Sequence, residues 1–359
     1  MARWFRWVAL LLACGVMAPA VGAAAQTPAA AQPDLTGLKT YMVDHAETMH
    51  DGAVQVASLA EQYAGLAKAA NYDYDALWRD HAGEVGPLLT QAKQAWTNDA
   101  HGNYEQIEGM VAGIPSLADY DVWIDAGPTG DEDPANARDW SLELPDGRTL
   151  DKPGNLFHSL TEPALWGTRD EFVGARVDLD GDGKTEPGEA LPEANVLLGS
   201  AQALEGATVD LQGAIDAWTP SLDDAFTALV VMIPTMSGYF EEWKHSSFVL
   251  GAESDETAFI ANSRLVDVLG ILGGLRVTYD KVSPLVVANE PAMAAQIDQE
   301  LSGVIDFVQD LQTREAAGTR FTPEQADQFG SELQSRAIAL AGQISQAAAL
   351  LGIDVQDAA

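Results

Sequence analysis

The sequence predicts an all-α fold of two packed helical bundles, interrupted by one long irregular excursion and by one loop of the EF-hand type. Three observations predict it. Apolar residues recur at three- and four-residue spacing, no stretch of any length alternates apolar and polar residues as a sheet would, and the helical stretches form two successive groups. The 359 residues, of which 47% are hydrophobic, suffice for two modest cores.

The N-terminus has the order of a secretory signal peptide, which we assign to residues 1–25. Arg3 and Arg6 precede an apolar run over 7–21, and small residues then lead up to a cleavage site after Ala25. The apolar run is too short to span a bilayer comfortably. We therefore expect a periplasmic or cell-envelope protein, with a flexible lead-in at 26–33 and no transmembrane segment in the mature chain.

The single cysteine and the charge exclude several classes of protein. Cys14 lies in the leader within a loose match to a lipid-attachment box, so lipoprotein anchoring is the alternative to release, and the mature chain has no disulfide and no cysteine-ligated metal. Without Arg3 and Arg6, the 19 basic residues fall to 17 against 54 acidic ones, a net charge near −37. Such a chain repels phosphate backbones, which excludes nucleic acid as a partner.

The helical patterns divide the mature chain into an N-terminal bundle over 34–210 and a C-terminal bundle over 211–359. The predicted helices cover 35–69, 74–96, 103–111, 193–218, 222–248, 255–279, 291–312 and 323–351. The last begins with Thr322 as a cap and Pro323 at the first helical position. Between the third and fourth helices, repeated Pro and Gly residues over about 113–155 predict an ordered excursion from the bundle.

The sharpest local motif is the EF-hand-like loop 178–189. It places carboxylates at positions 1, 3 and 5, a glycine at 6, a backbone carbonyl at 7 and acidic side chains at 9 and 12, which is the oxygen cage that Ca²⁺ requires. The calcium ligands predicted in this way are Asp178, Asp180, Asp182, Lys184, Glu186 and Glu189. The alternative is an acidic surface turn. Because no second loop of this kind exists, structural calcium fits better than signalling.

A second constellation lies around His158 and Glu162. Four residues separate them, so one helix would bring imidazole and carboxylate to the same face, where they could share a transition metal. Pro163 is comfortable only in the first turn of a helix, which would leave His158 in the entering loop. A partly buried histidine with a carboxylate partner is the competing interpretation. Further oxygen donors for this metal site are Glu105, Glu108 and Asp125.

The segments 158–167, 239–244 and 314–327 resemble the imelysin-like family, which includes the periplasmic EfeO/EfeM components of bacterial iron uptake. The resemblance implies two four-helix bundles, export, possible docking to a membrane iron-uptake complex, and a metal site on a Gly-x-His-x-x-Glu motif followed by an aliphatic-Trp-Gly end. Glu162 matches the glutamate of the motif because Trp166 follows it by four residues. His158 lies one residue too far away, and Ser159 occupies the histidine position. Either the helix bulges there, or the site has been lost or rebuilt.

These observations leave three hypotheses for the function. The first is a periplasmic metal-binding component of iron uptake, with iron or another transition metal bound near Glu162. The second is an imelysin-like metallopeptidase, although the chain has neither a His-Glu-x-x-His motif nor a Gly-x-Ser-x-Gly elbow. The third is an envelope interaction or polysaccharide-binding protein whose only metal is structural calcium.

Overall fold

The computed structural model describes residues 33–185, 188–254 and 256–356. The predicted signal peptide, Cys14, lead-in residues 26–32 and Glu186 of the calcium loop lie outside these residues. Within them, the helices are α1 (Thr36–Ala69), α2 (Tyr74–Gln94), α3 (Gly102–Val111), α4 (Ala118–Asp121), α5 (Glu162–Trp166), α6 (Ala194–Ala217), α7 (Leu222–His245), α8 (Ser247–Leu250), α9 (Arg264–Asn289), α10 (Pro291–Ala316) and α11 (Pro323–Leu351). The all-α prediction is confirmed.

Three stretches widen to π-helical geometry, and two others form 3₁₀ turns. The π-helical turns are Ala95–His101, Val122–Ala126 and Phe157–Thr161, and the 3₁₀ turns are Asp170–Phe172 and Gly251–Glu253. The first π turn joins α2 to α3 without a break, and the third leads directly into α5.

Two small antiparallel sheets lie among the helices, where the sequence showed no sheet pattern. Strand β1 (Ser141–Glu143) pairs with β2 (Thr149–Asp151), and β3 (Val173–Arg176) pairs with β4 (Ala190–Pro192). Strands of three or four residues are too short for an alternating pattern to be visible. The second sheet brackets the EF-hand-like loop, which is therefore flanked by strands and not by helices.

The helix predicted from residue 255 begins later than expected, at Arg264, and runs on to Asn289. Ser263 caps it by accepting a hydrogen bond from the Leu265 N–H. The apolar residues that precede Ser263 belong instead to an irregular segment, which matters for the site below. By contrast, the predicted α11 is confirmed from Pro323 to Leu351, with Thr322 and Gln325 forming a capping box.

The helices contact one another in two groups. In the N-terminal half α1 packs against α2, α3 and α6, and in the C-terminal half α7 packs against α9 and α11, while α10 packs against α9 and α11. Helices α3 and α9 join the halves. The proposed boundary at residue 210 stays a prediction. Large aromatic side chains fill the interior; among the fully buried ones are Trp96, Tyr63, Tyr104, Trp243 and Tyr279.

Glycine allows α3 and α9 to approach closely at the point where the two halves meet. A Cβ atom on Gly274 would lie 2.1 Å from the backbone oxygen of Gln106, and one on Gly270 would lie 2.9 Å from Cβ of Glu105. The two glycines are four residues apart and so share one face of α9. Their missing side chains place the backbone of α3 directly against α9, which carries Asp267.

No helix among the described residues is both long and apolar enough to cross a bilayer.

Candidate metal centre

The first group of site residues lies on the continuous helical path from α2 to α3. His101 ends the first π turn, and its Nε2 lies 3.0 Å from Oε1 of Glu105, one helical turn further on. The imidazole stacks on Trp96, with ring centroids 4.6 Å apart and planes inclined by 9°. This stacking fixes the orientation of the His101 ring. Glu108 follows on the same helix, three residues after Glu105.

The second π turn supplies Asp125. Oδ1 of Asp125 lies 3.1 Å from Nε2 of His158. In the short helix just before this turn, Asp121 accepts a hydrogen bond of 2.7 Å from the hydroxyl of Tyr104. Two carboxylates of the excursion, Asp121 and Asp125, are therefore buried in the interior.

The third π turn, Phe157–Thr161, carries His158 and explains the irregular spacing of its motif. Nδ1 of His158 donates to Oε2 of Glu162 over 2.8 Å, although four residues separate the two. A π turn accommodates one residue more than an α-helical turn. The π turn therefore brings His158 to Glu162 despite the extra residue between them. Pro163 lies in the first turn of α5, as predicted, but His158 lies in the π turn that runs directly into α5 and not in a loop.

Glu162 itself is held by the irregular segment that precedes α9. Its Oε2 accepts from the backbone N–H of Phe259, and its Oε1 accepts from those of Ile260 and Ala261, at 2.8–2.9 Å. Phe259 adopts a left-handed backbone (φ 55°), which is unusual for an aromatic residue and lets three successive N–H groups point at one carboxylate. Both oxygens of Glu162 are thus engaged, and Glu162 lies behind His158.

The two histidines and Asp125 converge on one point. Nε2 of His101 and Nε2 of His158 lie 3.3 Å apart, and a ligand atom from each of these histidines and from Asp125 fits within 4.8 Å of the others. Neighbouring ligands of a metal bound at about 2.1 Å are separated by about 3 Å. The spacing of the three side chains therefore suits a shared ion.

A second set of ligand atoms contains only carboxylates. Oxygens of Glu105, Glu108 and Asp125 also lie within 4.8 Å of one another. Oε2 of Glu105 and Oε2 of Glu108 are buried without a hydrogen-bond partner, whereas Oε1 of Glu105 faces Nε2 of His101 and Oε1 of Glu108 accepts from the hydroxyl of Tyr239. Buried polar atoms without partners are rare and require an explanation.

Helix α9 adds a carboxylate and a cation. Asp267 forms a third set with His101 and Glu105, again within 4.8 Å. Oδ2 of Asp267 accepts from Nη1 of Arg264 over 2.8 Å, while its Oδ1 is buried without a partner. The guanidinium of Arg264 lies over the ring of Tyr239, 4.3 Å from its centroid.

Burial and neighbouring charges shift the protonation equilibria of these groups strongly. Burial raises the pKa of Glu105 and of Glu108 well above the ordinary value. Burial lowers the pKa of His101 to about 4. For His158 burial acts in the same direction, but the negative charges of Asp125 and Glu162 outweigh it and raise the pKa to about 10. Perturbed titration of this kind clusters at functional sites.

A cleft of about 380 Å³ adjoins the buried cluster. Asp125 and His158 line it together with Arg169, Tyr239 and Arg264. Two members of the histidine set are therefore in contact with the cleft, which gives an ion a route to the site.

The structure brings together all five residues predicted for the transition-metal site: Glu162 lies behind His158, and Asp125 lies close to His158 as well as to Glu105 and Glu108. Sequence analysis missed His101 and Asp267. For His101 a signal existed, because the spacing of His101, Glu105 and Glu108 puts them on one side of a helix. For Asp267 there was none, since its pairing with Arg264 resembles an ordinary surface ion pair.

The EF-hand-like loop is folded around its own carboxylates. Oxygens of Asp178, Asp180 and Glu189 lie within 4.8 Å of one another. The N–H groups of Gly181 and Gly183 donate to Asp178, those of Leu179 and Asp180 donate to Glu189, and that of Lys184 donates to Asp182. Three of the six predicted calcium ligands thus face one another.

The donor set of the buried cluster fits a divalent transition metal. It mixes imidazole nitrogen with carboxylate oxygen, which suits iron, zinc or manganese, and its unpartnered oxygens are the atoms that an ion would satisfy. A search among curated proteins found no match. The imelysin family model matches residues 59–347, which is most of the chain and includes every residue of the cluster. With this match over both groups of helices, the chain belongs to the imelysin family.

Proposed function

We propose that the protein is a periplasmic metal-binding protein whose buried centre takes up a transition-metal ion, with iron as the cargo of an uptake system. The observation that carries the proposal is the convergence of His101, His158 and Asp125 at ligand-to-ligand distances of 3.1 and 3.3 Å. Export rests on the signal peptide predicted at 1–25, and iron rests on the resemblance to uptake components of the family.

The residues behind the ligands support binding. Glu162 accepts the proton on Nδ1 of His158, which leaves Nε2, the nitrogen that faces Asp125 and His101, as the atom that can bind an ion. An ion that binds Nε2 must displace any second proton from the ring. The cleft beside Asp125 admits the ion, and Arg264 places a positive charge close to the carboxylates, which limits their mutual repulsion.

Metal content tests the proposal. The protein is stripped with a chelator and reloaded anaerobically with Fe²⁺, and bound metal is measured by mass spectrometry after gel filtration. We expect His101→Ala and His158→Ala to lose high-affinity binding. His81→Ala, which removes an exposed histidine outside the cluster, should bind as wild type does. Unchanged iron binding in a variant that carries both His101→Ala and His158→Ala would refute the site.

A metallopeptidase is the competing function. It needs a base that can activate water, and Glu162, the glutamate that matches the family motif, is not free for this role because both of its oxygens already accept hydrogen bonds. We therefore favour binding over hydrolysis. Chelator-sensitive cleavage of an unfolded protein substrate, abolished in His158→Ala and retained in His81→Ala, would reverse that preference.

We also propose that loop 178–189 binds structural Ca²⁺. The three facing carboxylates and the short strands β3 and β4 on either side support a site that closes this loop rather than one that moves helices. This proposal is independent of the buried centre. It also keeps open the third hypothesis, in which calcium is the only metal.

A further inference from the structure

The buried carboxylates exceed what a single ion at the histidines would engage. The ligand sets His101–Asp125–His158 and Glu105–Glu108–Asp125 share only Asp125, and the third set, His101–Glu105–Asp267, shares one residue with each of them. No set combines both histidines with both glutamates. Two ligands of one ion at bond lengths of about 2.1 Å cannot be more than about 4.2 Å apart, so one ion cannot engage all of these side chains.

From this division we infer that the centre holds two metal ions, the second bound by oxygen atoms of Glu105, Glu108 and Asp125. The inference rests on the proposed function, because the first ion is the one at His101 and His158. Each imidazole nitrogen offers one lone pair and binds one ion. A carboxylate has two oxygens and can bridge two ions, and Asp125 belongs to both sets.

The unpartnered atoms point to the same second position. Oε2 of Glu105 and Oε2 of Glu108 are buried and lack hydrogen-bond partners, whereas Oε1 of Glu105 and Oδ1 of Asp125 each lie about 3 Å from a histidine nitrogen. An ion held by the two histidines and Asp125 would leave Oε2 of Glu108 unsatisfied. A buried polar group without a partner is unfavourable, and more so when it is ionised. A cation between the three carboxylates removes that cost.

The charge of the cluster agrees with two ions. When ionised, Glu105, Glu108, Asp121, Asp125 and Asp267 carry five negative charges, and the buried Arg264 beside them also pairs with Glu242. Two divalent ions offset more of this charge than one does, and unpaired charge in the interior is strongly unfavourable. The three backbone N–H groups and His158 already neutralise Glu162.

The two positions differ in chemistry. The first offers two imidazole nitrogens and selects a transition metal, whereas the second offers oxygen alone and suits harder cations such as Mn²⁺ or Fe³⁺. Mn²⁺ is accepted by both kinds of ligand and is paramagnetic. It is therefore the probe for counting the ions and for testing whether they are adjacent.

The experiment counts Mn²⁺ per chain in protein carrying Asp178→Ala and Glu189→Ala, which removes the calcium loop as a competing site. We expect two ions per chain and a spin-coupled electron paramagnetic resonance signal, since bridged ions lie about 3.5–4 Å apart. Adding Glu108→Gln should reduce binding to one ion with an uncoupled six-line signal. Adding Glu47→Gln instead, at an exposed glutamate of α1, should leave two coupled ions.

One uncoupled ion per chain before any change at Glu108 would overturn the second ion and leave the proposed function intact. If this protein bound no Mn²⁺ at all, both the second ion and the proposed function would be overturned. Two ions without spin coupling would contradict the shared carboxylate. The number and spin coupling of the ions in protein with an unchanged cluster already decide the question. The inference can therefore be tested even if Glu108→Gln does not fold.

Discussion

At the scale of single residues, the orientation of His158 depends on a carboxylate that is itself held by the backbone. In Glu162→Gln an amide nitrogen must face N–H donors, so we expect the metal-free protein to lose about 2–4 kcal/mol of unfolding free energy. Metal affinity should fall about 10- to 100-fold rather than vanish, as is usual for residues behind a ligand.

Urea unfolding and calorimetric metal titration measure these two effects of Glu162→Gln. Glu84→Gln, at an exposed glutamate of α2, is the matched control and should change neither. If Glu162→Gln abolished binding while leaving the protein equally stable, Glu162 would be a ligand and not a support for His158.

Asp121 gives a prediction for pH. Burial raises its pKa to about 7, while in the unfolded chain it titrates near 3.8. The folded state therefore holds the proton more tightly, and the stability that this contributes is present below about pH 4 and lost as the pH rises through 7. As the pH rises from about 4 to above 7, we expect the metal-free wild type to lose more unfolding free energy than Asp121→Asn, which has no carboxyl group to titrate at this position.

Urea unfolding at pH 4.5, 6 and 8 measures the difference between the two proteins. Asp119→Asn, at an exposed position of the same short helix, should keep a constant difference from wild type. A constant difference for Asp121→Asn as well would show that Asp121 titrates normally.

At the scale of elements, each π-helical turn in the described residues carries one member of the histidine set. His101, Asp125 and His158 belong to Ala95–His101, Val122–Ala126 and Phe157–Thr161 respectively. Such turns are rare and are frequently found at functional sites. They turn a side chain away from the face that a regular helix would give it.

The sequence predicts the regular helices well and the site only in part, for physical reasons. Hydrophobic periodicity detects helices with 3.6 residues per turn, and it therefore predicts α1 and α11 correctly. It cannot show where a turn widens to π-helical geometry. For this reason the extra residue between His158 and Glu162 resembles a broken motif in the sequence. Glu105, Glu108 and Asp125 were recognised by residue type. Asp267 joins them only through the packing of α9 on α3, which no local pattern encodes.

That packing can be tested at Gly274. A Cβ atom there would lie 2.1 Å from a backbone oxygen of α3, so Gly274→Ala must push the helices apart. We expect a loss of about 1–3 kcal/mol of unfolding free energy and weaker metal binding. At Gly273 the nearest atom to an added Cβ is 3.6 Å away, so Gly273→Ala should stabilise the helix by about 0.5–1 kcal/mol. Equal melting temperatures for the two variants would contradict the close approach of α3 and α9.

The calcium loop is an element whose effect on stability can be measured separately. We expect Ca²⁺ to raise the melting temperature of the wild-type protein after treatment with a calcium chelator, because an ion that binds only the folded state stabilises it. The rise should disappear in Asp178→Ala with Glu189→Ala. It should persist in Asp131→Ala, a control at an exposed acidic loop residue. A calcium effect that survives the double change would place the site elsewhere.

At the scale of the whole molecule, the charge is the dominant property. The 19 basic side chains cannot pair one to one with 54 acidic ones, so the folded surface repels itself. Salt shortens the screening length from about 30 Å at 0.01 M to about 8 Å at 0.15 M, which weakens this repulsion.

We expect the melting temperature of metal-free protein at pH 7.5 to rise by several degrees over this range of NaCl and then to level off. Near pH 4.1, the isoelectric point of the sequence, the same titration should be nearly flat. A melting temperature that falls with salt at pH 7.5 would mean that attractive ion pairs outweigh the excess negative charge.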